Sequence, residues 1–364
     1  MPILFRYLLR EYGNIFTMCF SGLMTIYLVI DFFEKVRRFL RYDANWLDIL
    51  MYFILKTPAI SFQIAPLAVL MATLLTFGLL SRGHEITAMR SCGISLPWIT
   101  APFIVFASGI SLVLLLFSST VIPLAASKSE EIRTTRIEKK PPATALKLQQ
   151  PWTRVGVDSL MHVTSVSVDG RLLGGVRLFQ FNRNFQLVNI TEAEEARYTD
   201  SIWTLYQGQH RRFSPDGTVS ASVFDRQAIV LTLIPDDFTV WLAGDSELMT
   251  FHDIRAYTRR RHQQGSQAAR LKTDYHSRIA FPFVTVIMVL VGIALSLRRS
   301  GTRGGGSMAM GIGQALGVGF CYWTTHSIAI ALGRGGVLTP LIAGWMANVL
   351  FLSFGLYLML KVRY

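Results

Sequence analysis

Residues 79–98, LLSRGHEITAMRSCGISLPW, form a short polar segment between two long apolar runs. We predict a small helix at about residues 81–93. Ser81 or Arg82 suits the start of such a helix, and Gly93 suits its end, because glycine tolerates the left-handed backbone that often follows a helix. The segment therefore predicts a compact polar helix that joins two membrane spans.

The predicted helix is amphipathic. Spacing of three and four residues places Ile86, Met89 and Arg90 on one face, close to the carboxylate of Glu85. Such a helix outside the membrane gives a partner protein a surface to act on. The alternative is a plain solvated turn, and the spacing alone leaves both interpretations open.

The flanking sequence is that of an integral membrane protein. Of the 364 residues, 51% are hydrophobic and only 16% are charged. A membrane span needs roughly 20 consecutive apolar residues, and six stretches of the sequence meet this requirement. Three predicted spans precede and three follow a gap of roughly 150 residues. They lie at about residues 14–33, 55–80, 99–123, 279–297, 308–331 and 337–360.

The N-terminal residues 1–13, MPILFRYLLREYG, are basic and precede an apolar run, as in a secretory signal. The run is long, however, and charged residues follow it where a cleavage site would have small ones. We therefore predict an interfacial helix followed by a retained first span.

Lysine and arginine set the predicted orientation, since they favour the cytoplasmic side. Six spans place both termini on one side. The basic residues on that side are Arg6, Arg10, Arg82, Arg90, Arg298, Arg299, Arg303, Lys361 and Arg363. We therefore predict that both termini are cytoplasmic, with Glu11 and Glu85 as the carboxylates on that side.

One basic cluster breaks this rule. Lys35, Arg37, Arg38 and Arg41 follow span one on the opposite side. Arg133 and Arg136, after span three, belong to the same membrane face. Ordinary anchoring to phospholipid headgroups is one explanation, and a site that grips a phosphorylated ligand is the other.

The middle segment, about residues 126–248, has a different pattern. Short alternating stretches such as VRLFQF and VSASVF are separated by turn signals, which predicts an all-β sandwich such as a jelly roll. Alternation places Val219, Ala221 and Val223 inside it. The sequence does not separate a packed sandwich from an open one that holds lipid. The chain then divides at about residues 1–125, 126–248 and 249–364.

Several catalytic and metal motifs are excluded. Residues 301–306 have the glycine spacing of a phosphate loop, but Ser307 and Met308 replace its lysine and hydroxyl residue. His84-Glu85 opens a zinc-protease pattern, but Ala88 replaces the second histidine. The three cysteines lie outside the middle segment, so that segment needs no disulfide. The sequence therefore predicts neither ATP binding nor catalysis by this chain.

The loop SRGHEITAMRSCGIS resembles the coupling-helix region of the LptF/LptG permease family, the membrane subunits of the lipopolysaccharide exporter. The likeness extends along the whole chain. The segment GGVRLFQFNRNFQLVNITEAEEARYTDSIWTLYQG and the ending LTPLIAGWMANVLFLSFGLYLML resemble the LptG branch, although LptF has a similar coupling loop. The resemblance implies an α+β membrane protein with six transmembrane helices (3+3) and a periplasmic β-jellyroll insertion.

The resemblance also implies partners and roles. An LptF-like second permease subunit would complete a cavity with gates at spans one and five, and a cytoplasmic LptB-like ATPase dimer would drive it. ATP and Mg would then bind the ATPase, with no cofactor in this chain. Lipopolysaccharide would leave the bacterial inner membrane through the β domain to an LptC/LptA-like bridge.

By resemblance, Glu85 has a coupling role and the basic residues after span one face lipid phosphates. Helical spacing and membrane side add the other members of two predicted groups. The ATPase-coupling residues are Glu85, Ile86, Met89 and Arg90. The lipopolysaccharide-binding residues are Lys35, Arg37, Arg38, Arg41, Arg133 and Arg136. The alternatives are an LptF-type paralogue, an envelope scaffold without transport activity and a membrane-anchored lipid enzyme. An enzyme would need a polar catalytic cluster at the end of a span, and the sequence shows none.

Overall fold

The computed structural model divides into two compact units, one of residues 1–138 and 250–364 and one of residues 139–249. The structure describes residues 2–42, 44–138, 146–147, 152–155, 158–167, 170–182, 184–199, 201–213, 218–229, 231, 233–235, 265–300 and 308–361. The first unit is helical and the second is a β-sheet.

The helical unit contains nine described α-helices, which we number in chain order. They are α1 (Pro2–Leu40), α2 (Trp46–Arg82), α3 (Glu85–Ser91), α4 (Leu96–Ser119), α5 (Val121–Glu131), α6 (Gly265–Ala280), α7 (Val284–Ser300), α8 (Met308–Arg334) and α9 (Pro340–Lys361). A π-helical turn, Ile132–Ile137, extends α5, and a 3-10 turn, Phe281–Phe283, joins α6 to α7.

Six helical segments of the described chain are long and apolar enough to cross a membrane, which confirms the predicted three plus three spans. Spans two and four (Trp46–Arg82 and Ala269–Leu297) form the centre, since 72% of the most apolar window of each is buried. Spans one and five (Ile3–Leu40 and Met310–Arg334) are the most exposed, with 17% and 28% buried. The chain is therefore a multi-pass membrane protein whose outer spans present apolar faces.

The predicted interfacial helix is not a separate element from span one. Residues 2–40 form the single helix α1. Leu8, Tyr12, Ile15 and Cys19 are all buried in one cluster with α2 and α4. This stripe keeps helical spacing across the predicted boundary, so nothing interrupts the helix.

The second unit is one antiparallel sheet. Its strands are β1 (Leu146–Lys147), β2 (Trp152–Arg154), β3 (Ser159–Val166), β4 (Leu172–Phe181), β5 (Leu187–Thr199), β6 (Ile202–Phe213) and β7 (Val219–Ile229). The strands β3 to β7 pair in sequence order, while β1 and β2 both pair with β3. This confirms an α+β membrane protein with a β insertion. The described strands form a meander, so the jelly roll stays a prediction.

The predicted inward face of β7 is wrong. Val219 and Val223 are 57% and 82% exposed, whereas Phe224 packs on the sheet core. Residues 219–223 are all exposed, on both faces of the strand, so this part of β7 extends beyond the core.

We expect Trp203→Ala to destabilise the sheet by about 3 kcal/mol or more, because it removes a large buried side chain. Trp203 is 1% exposed, and its Nε1 donates a hydrogen bond to the Leu233 carbonyl at 2.7 Å. Hydrogen exchange in β3–β6 measures the loss as a lower opening free energy. The control, Val223→Ala, truncates an exposed side chain. Equal hydrogen-exchange protection of β3–β6 in the two variants would contradict the role of Trp203 in the sheet core.

Candidate functional site

One end of the helical unit is organised around α3. The preceding residue, His84, has a left-handed backbone with φ 56°. Gly93 has φ 78° and donates its N–H to the Arg90 carbonyl at 3.0 Å. Gly93 therefore ends the helix as predicted. The predicted start is wrong, because Ser81 and Arg82 are the last residues of α2.

The apolar side of α3 is anchored in the chain's own core. Ile86 and Met89 are buried in the cluster that joins spans one, two and three. Arg90 is exposed, so it does not share their buried face as predicted. Glu85 is partly exposed and accepts a hydrogen bond from the Tyr7 hydroxyl at 3.1 Å. The surface that α3 offers to a partner is therefore charged, with Glu85 and Arg90 as its accessible members.

The opposite end brings the two predicted basic groups together. Phe39 at the end of α1 is buried in a cluster with Ile49 and Phe53 of α2. Ile132 and Ile137 of the π-helical turn pack in the same cluster. These residues flank the basic groups in sequence, so one apolar cluster gathers arginines from the ends of spans one and three.

Ion pairs divide these basic residues into two kinds. Arg133 contacts Glu130 at 2.6 Å, and Arg136 contacts Asp48 of α2 at 3.4 Å. Lys35 contacts Asp31 within α1 at 2.5 Å. The remaining three, Arg37, Arg38 and Arg41, are exposed, and no carboxylate among the described residues forms an ion pair with them.

The sequence matches the family model described as lipopolysaccharide export system permease LptF/LptG over residues 6–361. The chain belongs to the LptF/LptG family. It is 23% identical to the lipopolysaccharide export system permease protein LptG of Escherichia coli K12, over 99% of this chain and 98% of that protein. The LptG of Escherichia coli O6:H1 matches equally, with 23% identity over the same shares.

In this LptF/LptG permease, sequence reasoning missed two residues of the basic end. Asp31 is only 7% exposed within span one. It binds Lys35 and also Lys56 of span two, whose Nζ lies 3.0 Å from Oδ1 and 3.1 Å from Oδ2. The i,i+4 spacing of Asp31 and Lys35 was a usable signal. Lys56 carried no such local signal, because its partner lies on another helix.

In the part of the permease that the structure describes, no three histidine, cysteine or acidic side chains group as metal ligands. The glycine-rich segment 301–306 lies outside the described residues. The described sites are therefore two charged ends of a helical unit: the α3 end, with Glu85 and Arg90, and the basic end, with its arginines and the Asp31 ion pairs.

Proposed function

We propose that this chain is the LptG-type permease subunit of an ABC transporter that extracts lipopolysaccharide from the bacterial inner membrane. The observation that carries the proposal is the basic end. Arg37, Arg38 and Arg41 are exposed where a span ends. Phosphates of a lipid headgroup are the ligands that such cations bind at a membrane surface. Both termini and α3 are then cytoplasmic, and the β insertion is periplasmic.

A second permease subunit completes the transport path. Spans one and five expose large apolar side chains, among them Ile26 at 60% and Phe320 at 71% exposure. Exposed apolar faces suit either lipid or another helix. In the proposal they are the gates of a cavity that this chain shares with an LptF-like subunit, and lipopolysaccharide passes through the β unit to an LptC/LptA-like bridge.

ATP hydrolysis is assigned to a separate LptB-like dimer that contacts α3. The charged surface of α3 supports this assignment, because Glu85 gives a basic partner residue a charge-assisted contact. This chain then supplies the lipid path and the coupling helix, and no catalytic residue. The Escherichia coli relatives at full-length coverage favour the LptG-type over the LptF-type assignment.

Co-purification tests the proposal. We expect a tag on this chain to isolate a second six-span protein, an ATPase and lipopolysaccharide. A photo-reactive residue at Phe320 should capture the second permease chain, whereas one at Val105, which is 55% exposed on span three, should not. Isolation of the chain alone, without these partners or lipid, would contradict the proposal and favour a scaffold.

A further inference from the structure

The ion pairs of Asp31 are unequal. Two ammonium groups share this one carboxylate, which leaves the group with one excess positive charge. Lys56 contacts both carboxylate oxygens, at 3.0 and 3.1 Å, whereas Lys35 contacts only Oδ1. Either lysine balances the charge of Asp31. Lys35 has the shorter contact, at 2.5 Å, but Lys56 bridges both oxygens and keeps the whole carboxylate paired if Lys35 leaves, so Lys35 is the surplus cation.

The position of the three residues makes the surplus cation accessible. Asp31 is 8% exposed at its side chain, but Lys35 and Lys56 are 26% and 25% exposed. An anion from outside therefore meets the lysines before it meets the carboxylate. A lysine is a point charge on a flexible stem, so it changes partner by rotation of its side chain alone.

The backbone around the ion pairs is fixed on both sides. Toward the middle of the membrane, Met24 of α1 packs with Ile60 and Ile64 of α2. Toward the basic end, Phe39 of α1 packs with Tyr52 and Phe53 of α2. These two clusters hold the two helices together, so exchange of a lysine partner requires no separation of the spans.

We propose that Lys35 is an exchangeable ligand for a lipid phosphate, held by Asp31 while the site is empty, and that Lys56 is the permanent partner of Asp31. When a phosphate arrives, Lys35 leaves Asp31 and binds it, and Lys56 keeps the buried carboxylate paired. When the lipid leaves, Lys35 returns to Asp31. Asp31 therefore competes with the phosphate, which speeds release. Asp31 and Lys56 are positioning residues, and this inference rests on the proposed function.

The test compares four forms of the tagged protein purified with its bound lipopolysaccharide: unsubstituted, Asp31→Asn, Lys56→Met, and the double variant. The readout is the half-life of bound lipopolysaccharide after dilution into lipid-free detergent. We expect Asp31→Asn to lengthen it about fivefold, the effect of removing one partly exposed ion pair. Lys56→Met should shorten it, because Asp31 then needs Lys35 permanently. The double variant should restore at least the unsubstituted half-life.

Two comparisons make the result specific. Glu34→Gln removes the same charge from an exposed position of α1, and Glu34 forms no ion pair with a described residue; it should leave the half-life unchanged. If Asp31→Asn does not fold, the double variant and Lys56→Met still differ only at residue 31. If the half-life of bound lipopolysaccharide in the double variant is as short as in Lys56→Met, the inference is overturned, because Lys56 then binds the lipid itself. An equal effect of Glu34→Gln also overturns it.

The failure of the inference and that of the proposed function give different results. If the unsubstituted protein carries no lipopolysaccharide, both fail. If it carries lipopolysaccharide that Lys35→Ala weakens, while Asp31→Asn changes nothing in a folded protein, only the exchange of partners is wrong.

Discussion

Glu85→Lys is expected to reduce lipid-stimulated ATP hydrolysis and transport by about tenfold to hundredfold, while the complex still assembles. A hydrogen bond to a charged group contributes roughly 1.5–3 kcal/mol, and every 1.4 kcal/mol corresponds to a factor of ten. Charge reversal replaces this contact with repulsion between α3 and a basic residue of the proposed ATPase. The measurement is ATPase activity of the purified complex with and without lipopolysaccharide.

The fold is expected to tolerate this substitution. Ile86 and Met89 anchor α3 in the core, and Gly93 ends it with its left-handed backbone. Glu85 contributes one hydrogen bond, from Tyr7 at 3.1 Å. Loss of that bond changes stability by about 1.5 kcal/mol, the low end for a bond to a charged group, because water replaces it at this exposed position.

Two control variants separate coupling from local structure. Tyr7→Phe removes the hydrogen bond inside the chain but keeps the Glu85 carboxylate, so activity should persist. Thr87→Lys adds a positive charge to an exposed position of α3 and also keeps Glu85, so its effect should be smaller. Normal lipid-stimulated ATPase activity in an assembled Glu85→Lys complex would show that Glu85 does not couple the two chains.

The membrane spans were predictable because apolar length alone determines them. The end of α3 was predictable for a similarly local reason, since Gly93 adopts the backbone conformation that glycine favours. The start of α3 was not, because α2 continues past the apolar run to Arg82 and leaves only Gly83 and His84 as the connection.

Side-chain orientation was harder to predict than the elements themselves. Strict alternation placed Val223 inside the sandwich, but residues 219–223 are exposed on both faces of β7, so this part of the strand extends beyond the core. Alternation predicts the two faces of a strand, but it does not show how far along the strand the core extends. The sequence likewise located the two basic groups, whereas the Asp31–Lys56 contact depends on how α1 packs against α2.

Arg37, Arg38 and Arg41 are expected to dominate retention of lipopolysaccharide at the basic end. Replacing all three with alanine should weaken the apparent affinity for lipopolysaccharide roughly hundredfold. Each cation near a lipid surface contributes about 1 kcal/mol, and every 1.4 kcal/mol is a factor of ten. The measurement is lipopolysaccharide per mole of purified protein over a series of lipid concentrations.

The ion pairs explain why these three matter most. Arg133 and Arg136 already contact Glu130 and Asp48, so a phosphate gains less from them. Arg133→Ala with Arg136→Ala should therefore weaken retention less per charge removed. Equal losses per arginine in the two variants would show that the carboxylate partners do not matter.

Ordinary membrane anchoring is the competing explanation for the three exposed arginines, and it makes a different prediction. Anchoring depends on total charge near the membrane, so removing Arg6, Arg10 and Lys361 at the α3 end serves as the matched control. That variant should keep its lipopolysaccharide.

In a binding site, the single, double and triple variants of Arg37, Arg38 and Arg41 should weaken lipopolysaccharide retention in steps. Added salt should narrow the differences in retention between these variants, because it screens exposed charges. Unchanged lipid content in an intact triple variant would leave anchoring as their role, because a phosphate site cannot lose three exposed cations without losing affinity.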